Sequence, residues 1–260
     1  SSGLGSGNRD LPNYVVMLSQ GTGKNPGQPL FSRLWGSGFL PARYQGVQFR
    51  PGKDRVLSLA DPDGVTRATR RRMLDDLKAL HELQHEDERD PAIATRIAQY
   101  ELAYRMQVEA TDAFDISKEP EEIRKMYGSG TQARQMLITR RLIERGVRFV
   151  QLYHRGWDQH GGLIGALPKQ CNDTDQACAG LVTDLKQRGM LDETLVVWNS
   201  EFGRTPRINK NAGRDHWPWV YSLALAGAGI RAGTVYGASD ASAAYPASTP
   251  RDPADMAATL

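Results

Sequence analysis

Twice in the second half of the chain a helical segment is followed by a glycine and then by a short apolar run, and few folds accommodate that order. Residues 132–144 carry a helical period, Gly146 stops them, and 147–153 (VRFVQLY) read as a strand. Residues from about 168 to 188 set Leu181, Val182 and Leu185 on one helical face, Gly189 stops them, and 194–198 (TLVVW) follow. A glycine just past a helix accepts the left-handed backbone that ends it. The continuous run Leu195, Val196, Val197 and Trp198 has the character of a strand buried on both faces of a parallel sheet. Helix, stop and strand in succession make the crossover unit of such a sheet. An earlier run, 14–18 (YVVML), reads as another buried strand, and 219–226 and 234–236 as later ones. The expected architecture is therefore α/β.

The first half is organised differently. Residues 31–59 look irregular, rich in Gly, Pro and aromatic residues. From 65 to about 107 the period is helical, with Met73, Leu74, Leu77, Leu80 and Leu83 on one stripe. Asp90 and Pro91 then start a second helix carrying Ile93, Ile97, Leu102 and Met106. This predicts a helical hairpin inserted at about 65–110 of a single α/β domain spanning 1–260. A short helix ends at Gly128. At the far end Asp252, Pro253 and Asp255 form a capping-box start to a further helix. That late start, with a Gly/Ser-rich opening that lacks Met, leads us to expect a fragment of a longer protein.

Charge and composition remove several classes. Lys and Arg total 33 against 30 Asp and Glu, and no basic run alternates with aromatics, so nucleic acid is not an expected partner. No apolar run reaches the roughly 20 residues of a membrane span. Cys171 and Cys178 stand seven apart in a helical segment, about 10 Å along the axis and too far for a disulfide. The Gly-Thr-Gly-Lys at 21–24 fails as a phosphate loop, because Leu18 replaces its first glycine and Asn25 its Ser/Thr. His81-Glu82-Leu83-Gln84-His85 has the form of a zinc-protease helix, two His one turn apart with a Glu between. It lies in a charged surface run without a third ligand nearby, so a zinc metalloprotease is only a minor alternative.

The densest group of metal-ligating residue types follows the two strands. Asp158 and His160 lie in HRGWDQHGG after the first, and Glu201, Asp215 and His216 lie in the loop after the second. Ligands bind at the carboxyl ends of strands in open α/β sheets, and carboxylates mixed with imidazoles suit a divalent ion. Each residue also has an ordinary role open to it: Asp158 as a turn or cap, His160 as a loop hydrogen-bonder, Glu201 as a partner of Arg204, Asp215 as a partner of Arg214.

The runs GVRFVQLYHRGWDQHGG, DLKQRGMLDETLVVWNSEFGRTPRINKNAGRDHWP and LALAGAGIRAGTVYGASD, with NRDLPNYVVMLSQG and YELAYRMQ before them, resemble the domain of unknown function 1501 family, a sulfatase-like branch of the alkaline phosphatase superfamily. The resemblance covers nearly the whole chain. It implies a doubly wound, mostly parallel sheet with helices on both faces, and one or two divalent ions such as zinc, manganese or calcium. It also implies an exported or periplasmic protein. Asp158 and His160 match the superfamily's first ligand pair in type, with tighter spacing, and His216 matches its late His. Glu201 and Phe202 stand where an Asp-His pair would be; Glu can still bind metal, Phe cannot. The nucleophile belongs to a segment upstream of this chain. The implied activity is hydrolysis of a phosphate or sulfate ester of a small molecule or polysaccharide, with Asp158, His160, Glu201 and His216 as ligands and Asp215 orienting one of them. Arg204 or Arg155 would stabilise the anionic transition state. The alternative is a non-catalytic protein on the same fold that binds a polysaccharide or cell-surface partner, a reading favoured by Phe202.

Overall fold

The computed structural model describes residues 10–22, 30–40, 44–50, 64–88, 101–102, 104–106 and 111–259, except for the side chains of 81, 82, 84–88 and 259. The chain divides into two compact units, one of residues 1–20 and 28–155, the other of residues 21–27 and 156–260.

The first unit is built on β1 (Tyr14–Gln20), the centre of a three-stranded parallel sheet in the order β2-β1-β3. β2 is Val47–Phe49 and β3 is Phe149–Arg155. β1 and β3 pair in register from Tyr14 opposite Phe149 to Gln20 opposite Arg155, the parallel arrangement expected of a strand fed by a crossover helix. β2 falls in the stretch that reads as irregular; three residues are too few to show a period. Helix α1 (Arg67–Glu88) holds the expected apolar stripe. Of the second hairpin helix, residues 101–102 and 104–106 are helical and the remainder lies outside the described residues.

α2 (Glu121–Tyr127) begins after Pro120 with Glu121 and Glu122 in its first turn, where acids favour the helix dipole, and ends at Gly128 with φ +89°. α3 (Thr131–Glu144) is closed by Gly146 at φ +83°, whose N–H returns to the Ile143 carbonyl at 2.9 Å. The core gathers Val15, Met17, Phe49, Phe114, Ile138 and Leu142 among others, the apolar faces of β1, β2 and α3 removed together from water. Beside it runs a buried ionic network. Glu119 accepts from both Arg140 (2.5 Å) and Arg141, Arg140 also pairs with Glu144 at 2.7 Å, and Arg141 Nε donates to the Ala113 carbonyl at 2.9 Å.

In the second unit, α4 (Leu163–Gln187) starts ahead of Pro168, which the sequence reading places in its first turn. The reason is non-local: Gly162 adopts a left-handed backbone (φ +61°), Gly162 N–H bonds to the Asn211 carbonyl at 3.1 Å, and Leu163 N–H to that of Ala212 at 2.8 Å. β4 (Val196–Trp198) corrects a second expectation. It pairs antiparallel with β7 (Ala224–Ala226) and leaves Trp198 53% exposed, so it is not a doubly buried parallel strand. A short apolar run carries no information on strand direction. β5 (Gly203–Arg204) pairs antiparallel with β6 (His216–Trp217), and β8 (Ala238–Ser239) with β9 (Pro246–Ser248). Of the expected strand at 219–226 only the last three residues pair, and 234–236 form none. α5 (Pro253–Thr259) opens with the expected reciprocal cap, Asp255 N–H to Asp252 Oδ1 at 2.9 Å and Asp252 N–H to Asp255 Oδ2 at 3.2 Å. Cys171 and Cys178 are free thiols. Among the described residues no helix is long and apolar enough to cross a membrane.

Candidate metal centre

Two loops of the second unit are locked together before any functional side chain is considered. Asn209 organises the loop from β5 to β6: its Oδ1 accepts the N–H groups of Asn211 (2.9 Å) and Gly213 (3.0 Å), and its Nδ2 donates to the His160 carbonyl at 3.0 Å. Arg214 N–H reaches the Gln159 carbonyl at 3.0 Å. Gly213 packs so closely on His160 that a Cβ there would lie 2.1 Å from the His160 carbonyl carbon, so only glycine fits. The β5–β6 pairing sets Arg204 opposite His216.

This framework brings Asp158, His160 and His216 to one point. His216 Nε2 lies 2.8 Å from Asp158 Oδ1, and His160 Nε2 lies 3.1 Å from both that oxygen and His216 Nε2. Asp215 Oδ1 sits 2.8 Å from the other His160 nitrogen, Nδ1, and also accepts from Asn209 Nδ2 at 3.1 Å. Arg204 completes the rim: one terminal nitrogen meets Asp158 Oδ1 at 2.8 Å and the Trp157 carbonyl at 3.1 Å. The Phe202 ring packs on His216 with centroids 4.3 Å apart, and the Arg204 guanidinium lies 5.7 Å from the Phe202 centroid.

Burial works against the charged form of Asp158, but hydrogen bonds from His216 and Arg204 outweigh it and hold the carboxyl below the usual carboxylate range. The hydrogen bond from His160 does the same for Asp215. With Asp215 ionised, the His160 proton belongs on Nδ1 and its Nε2 presents a lone pair. That lone pair faces Asp158 Oδ1 and His216 Nε2; all three are atoms of metal-ligand type, and the carboxylate oxygen also accepts from Arg204 at 2.8 Å. Ligands about 2.1 Å from one ion stand about 3.0 Å apart at right angles and about 3.4 Å apart at the tetrahedral angle. The observed separations, 2.8 to 3.1 Å, match the first arrangement, two imidazoles and one carboxylate on a single face. The carboxylate behind His160 is one of the partners, with backbone carbonyls and water, that metal-binding histidines commonly use.

The other residues singled out from sequence fall elsewhere. Glu201 is exposed, 3.5 Å from Ser200 Oγ, and outside the group. Arg155 is the last residue of β3, in the first unit. The side chains of His81 and His85 lie outside the described residues. Asn209 was not legible as part of the site; an Asn followed by Ala212 and Gly213 in a polar loop signals a turn, not the clamp it forms.

A mixed α/β protein with a three-stranded parallel sheet and a two-histidine, one-carboxylate cluster is thus defined. The chain belongs to the family described as protein of unknown function (DUF1501), whose model matches residues 1–260. No curated protein and no solved structure matches it significantly.

Proposed function

We propose that the protein is a metal-dependent hydrolase of phosphate or sulfate esters, with one divalent ion held by Asp158, His160 and His216. The observation that carries this reading is the convergence of three possible ligand atoms within 3.1 Å of one another. A bound divalent ion supplies Lewis-acid polarisation of an ester oxygen and lowers the pKa of an attacking group. Asp215 holds the His160 tautomer. Arg204 contributes a fixed guanidinium beside the cluster, suited to the equatorial oxygens of a phosphoryl or sulfuryl group as they gain charge. Phe202, whose ring packs on His216, stands where the resemblance would place a second-site histidine, which favours one ion over two. The doubly wound sheet, the export and the ester substrate belong to the same proposal and rest on the resemblance to the alkaline phosphatase superfamily.

Elemental analysis and titration calorimetry on the protein, beside Asp158→Ala and His216→Ala, test it. About one equivalent of zinc or manganese is expected in the parent and none in either variant, with aryl phosphates and sulfates as the substrate panel. A folded parent that takes up no metal removes the mechanism. A parent that binds metal but turns over no ester favours the second reading, a non-catalytic polysaccharide or cell-surface binder, which the Phe202 packing supports.

A further inference from the structure

Between α2 and α3 the chain turns in three residues, Gly128, Ser129 and Gly130, and a cavity of about 290 Å³ opens over the turn. That volume is near the lower end of those of small-molecule sites. Every residue lining it falls between 116 and 137, within the first unit. One wall is apolar, formed by Ile116 with the buried Tyr127 and Leu137. Gly128 and Gly130 take φ of +89° and +98°, the left-handed region that favours glycine. A Cβ added at Gly130 would meet nothing within 4 Å, so the turn and not crowding calls for glycine, and the space over it is open.

The opposite wall is cationic. Arg124 reaches the cavity from the last turn of α2 and Arg134 from the start of α3, and no carboxylate lines it. Neither guanidinium makes a side-chain hydrogen bond or an ion pair among the described residues. Their neighbours do: Lys125 pairs with Glu121 at 2.7 Å, Arg140 and Arg141 share Glu119, and Arg145 pairs with Asp112 at 2.5 Å. Ser129 adds an exposed hydroxyl to the rim. A guanidinium presents its N–H donors in a planar fork that fits phosphate oxygens two at a time. Two such groups match the charge of a phosphate monoester dianion, and the apolar wall beside them suits its organic group.

We infer that this cavity binds a small phosphate monoester. Arg124, Arg134 and the Ser129 hydroxyl hold the phosphoryl oxygens, and the organic group lies on Tyr127 and Leu137. The inference is independent of the metal centre, whose residues belong to the second unit.

Titration calorimetry with phenylphosphonate, whose carbon–phosphorus bond an ester hydrolase leaves intact, tests it. The full chain is used, treated with a chelator and carrying Asp158→Ala and His216→Ala, so that the metal centre takes no part. One equivalent is expected to bind. Arg124→Gln with Arg134→Gln should raise the dissociation constant about a hundredfold or more, since each charge-assisted contact contributes about a factor of ten or more. Arg134→Lys alone, which keeps the charge and loses the fork, should raise it about tenfold. Arg231→Gln, exposed in the second unit, should change nothing. Inorganic phosphate, which leaves the apolar wall bare, should bind at least about tenfold more weakly than phenylphosphonate. Both cavity arginines are exposed, so far-UV dichroism and the urea midpoint should stay unchanged on their substitution. Absence of binding, a dissociation constant unmoved by the double Gln variant, or an equal loss in Arg231→Gln would each overturn the proposal. So would inorganic phosphate bound as tightly as phenylphosphonate, or benzoate bound as tightly, which would give the cavity to carboxylates.

Discussion

Charged side chains are used in opposite ways in the two units. In the first, Glu119 is 7% exposed between Arg140 at 1% and Arg141, and its two oxygens accept one guanidinium each. Burial opposes ionisation of Glu119, yet the two arginines hold its pKa below the usual range. Donors and acceptors balance there, and nothing further is required. In the second, Asp158, His160 and His216 are partly or largely exposed and bring three atoms of ligand type within 3.1 Å of one another. A closed network is structural; an open one is suited to a cation. The contrast predicts unequal costs. Glu119→Ala removes the carboxylate that two buried guanidinium groups share, leaving Arg140 with Glu144 and Arg141 with backbone carbonyls, and is expected to destabilise the protein by about 3 kcal/mol, read from the urea midpoint. If Glu119→Ala cost no more than a typical surface substitution, the network would not be the closed structural element described.

The next expected effect is on affinity. Asp215→Ala removes the acceptor behind His160 and should weaken metal binding about 10- to 100-fold, with Asp215→Asn nearer the lower figure because it keeps a hydrogen-bond acceptor. Competition with a chromophoric chelator measures this, and the urea midpoint of the metal-free protein should hardly move. A large loss of metal-free stability with unchanged affinity would make Asp215 a loop strut instead.

How much of this could be read from the sequence depends on whether the cause was local. Gly128 and Gly146, the Asp252–Asp255 cap and the parallel direction of β3 follow from turn chemistry and crossover logic, and each stands where expected. The start of α4 did not, because Gly162 and Leu163 are bonded by a loop some fifty residues away. The direction of β4 did not, because Val196 to Trp198 look the same in a parallel or an antiparallel pair. In the site, residue types singled out Asp158, His160, Asp215 and His216, while Glu201, chosen on the same ground, lies outside. Distance from a strand end ranks candidates; only the Asn209 clamp and the β5–β6 register select among them.

The smallest effect concerns Asp112, where the comparison can be tested by pH and salt together. Hydrogen bonds from Lys118 and Arg145 hold its carboxyl down at about 2, against about 3.9 for an unperturbed Asp. A depressed pKa in the folded state contributes stability that is fully present above the unfolded value and is lost as pH falls through the folded one. The difference in stability between the parent and Asp112→Asn should therefore be constant above about pH 5 and shrink between about pH 4 and 2. Its size should stay under about 1 kcal/mol, because the Asp112 side chain is 38% exposed and solvent screens the pair. Raising the salt concentration should shrink it further. The cost of Glu119→Ala, by contrast, should change little with salt, since its partners are out of reach of screening ions. Equal salt sensitivity at Asp112 and Glu119 would mean that burial does not separate the two ion pairs.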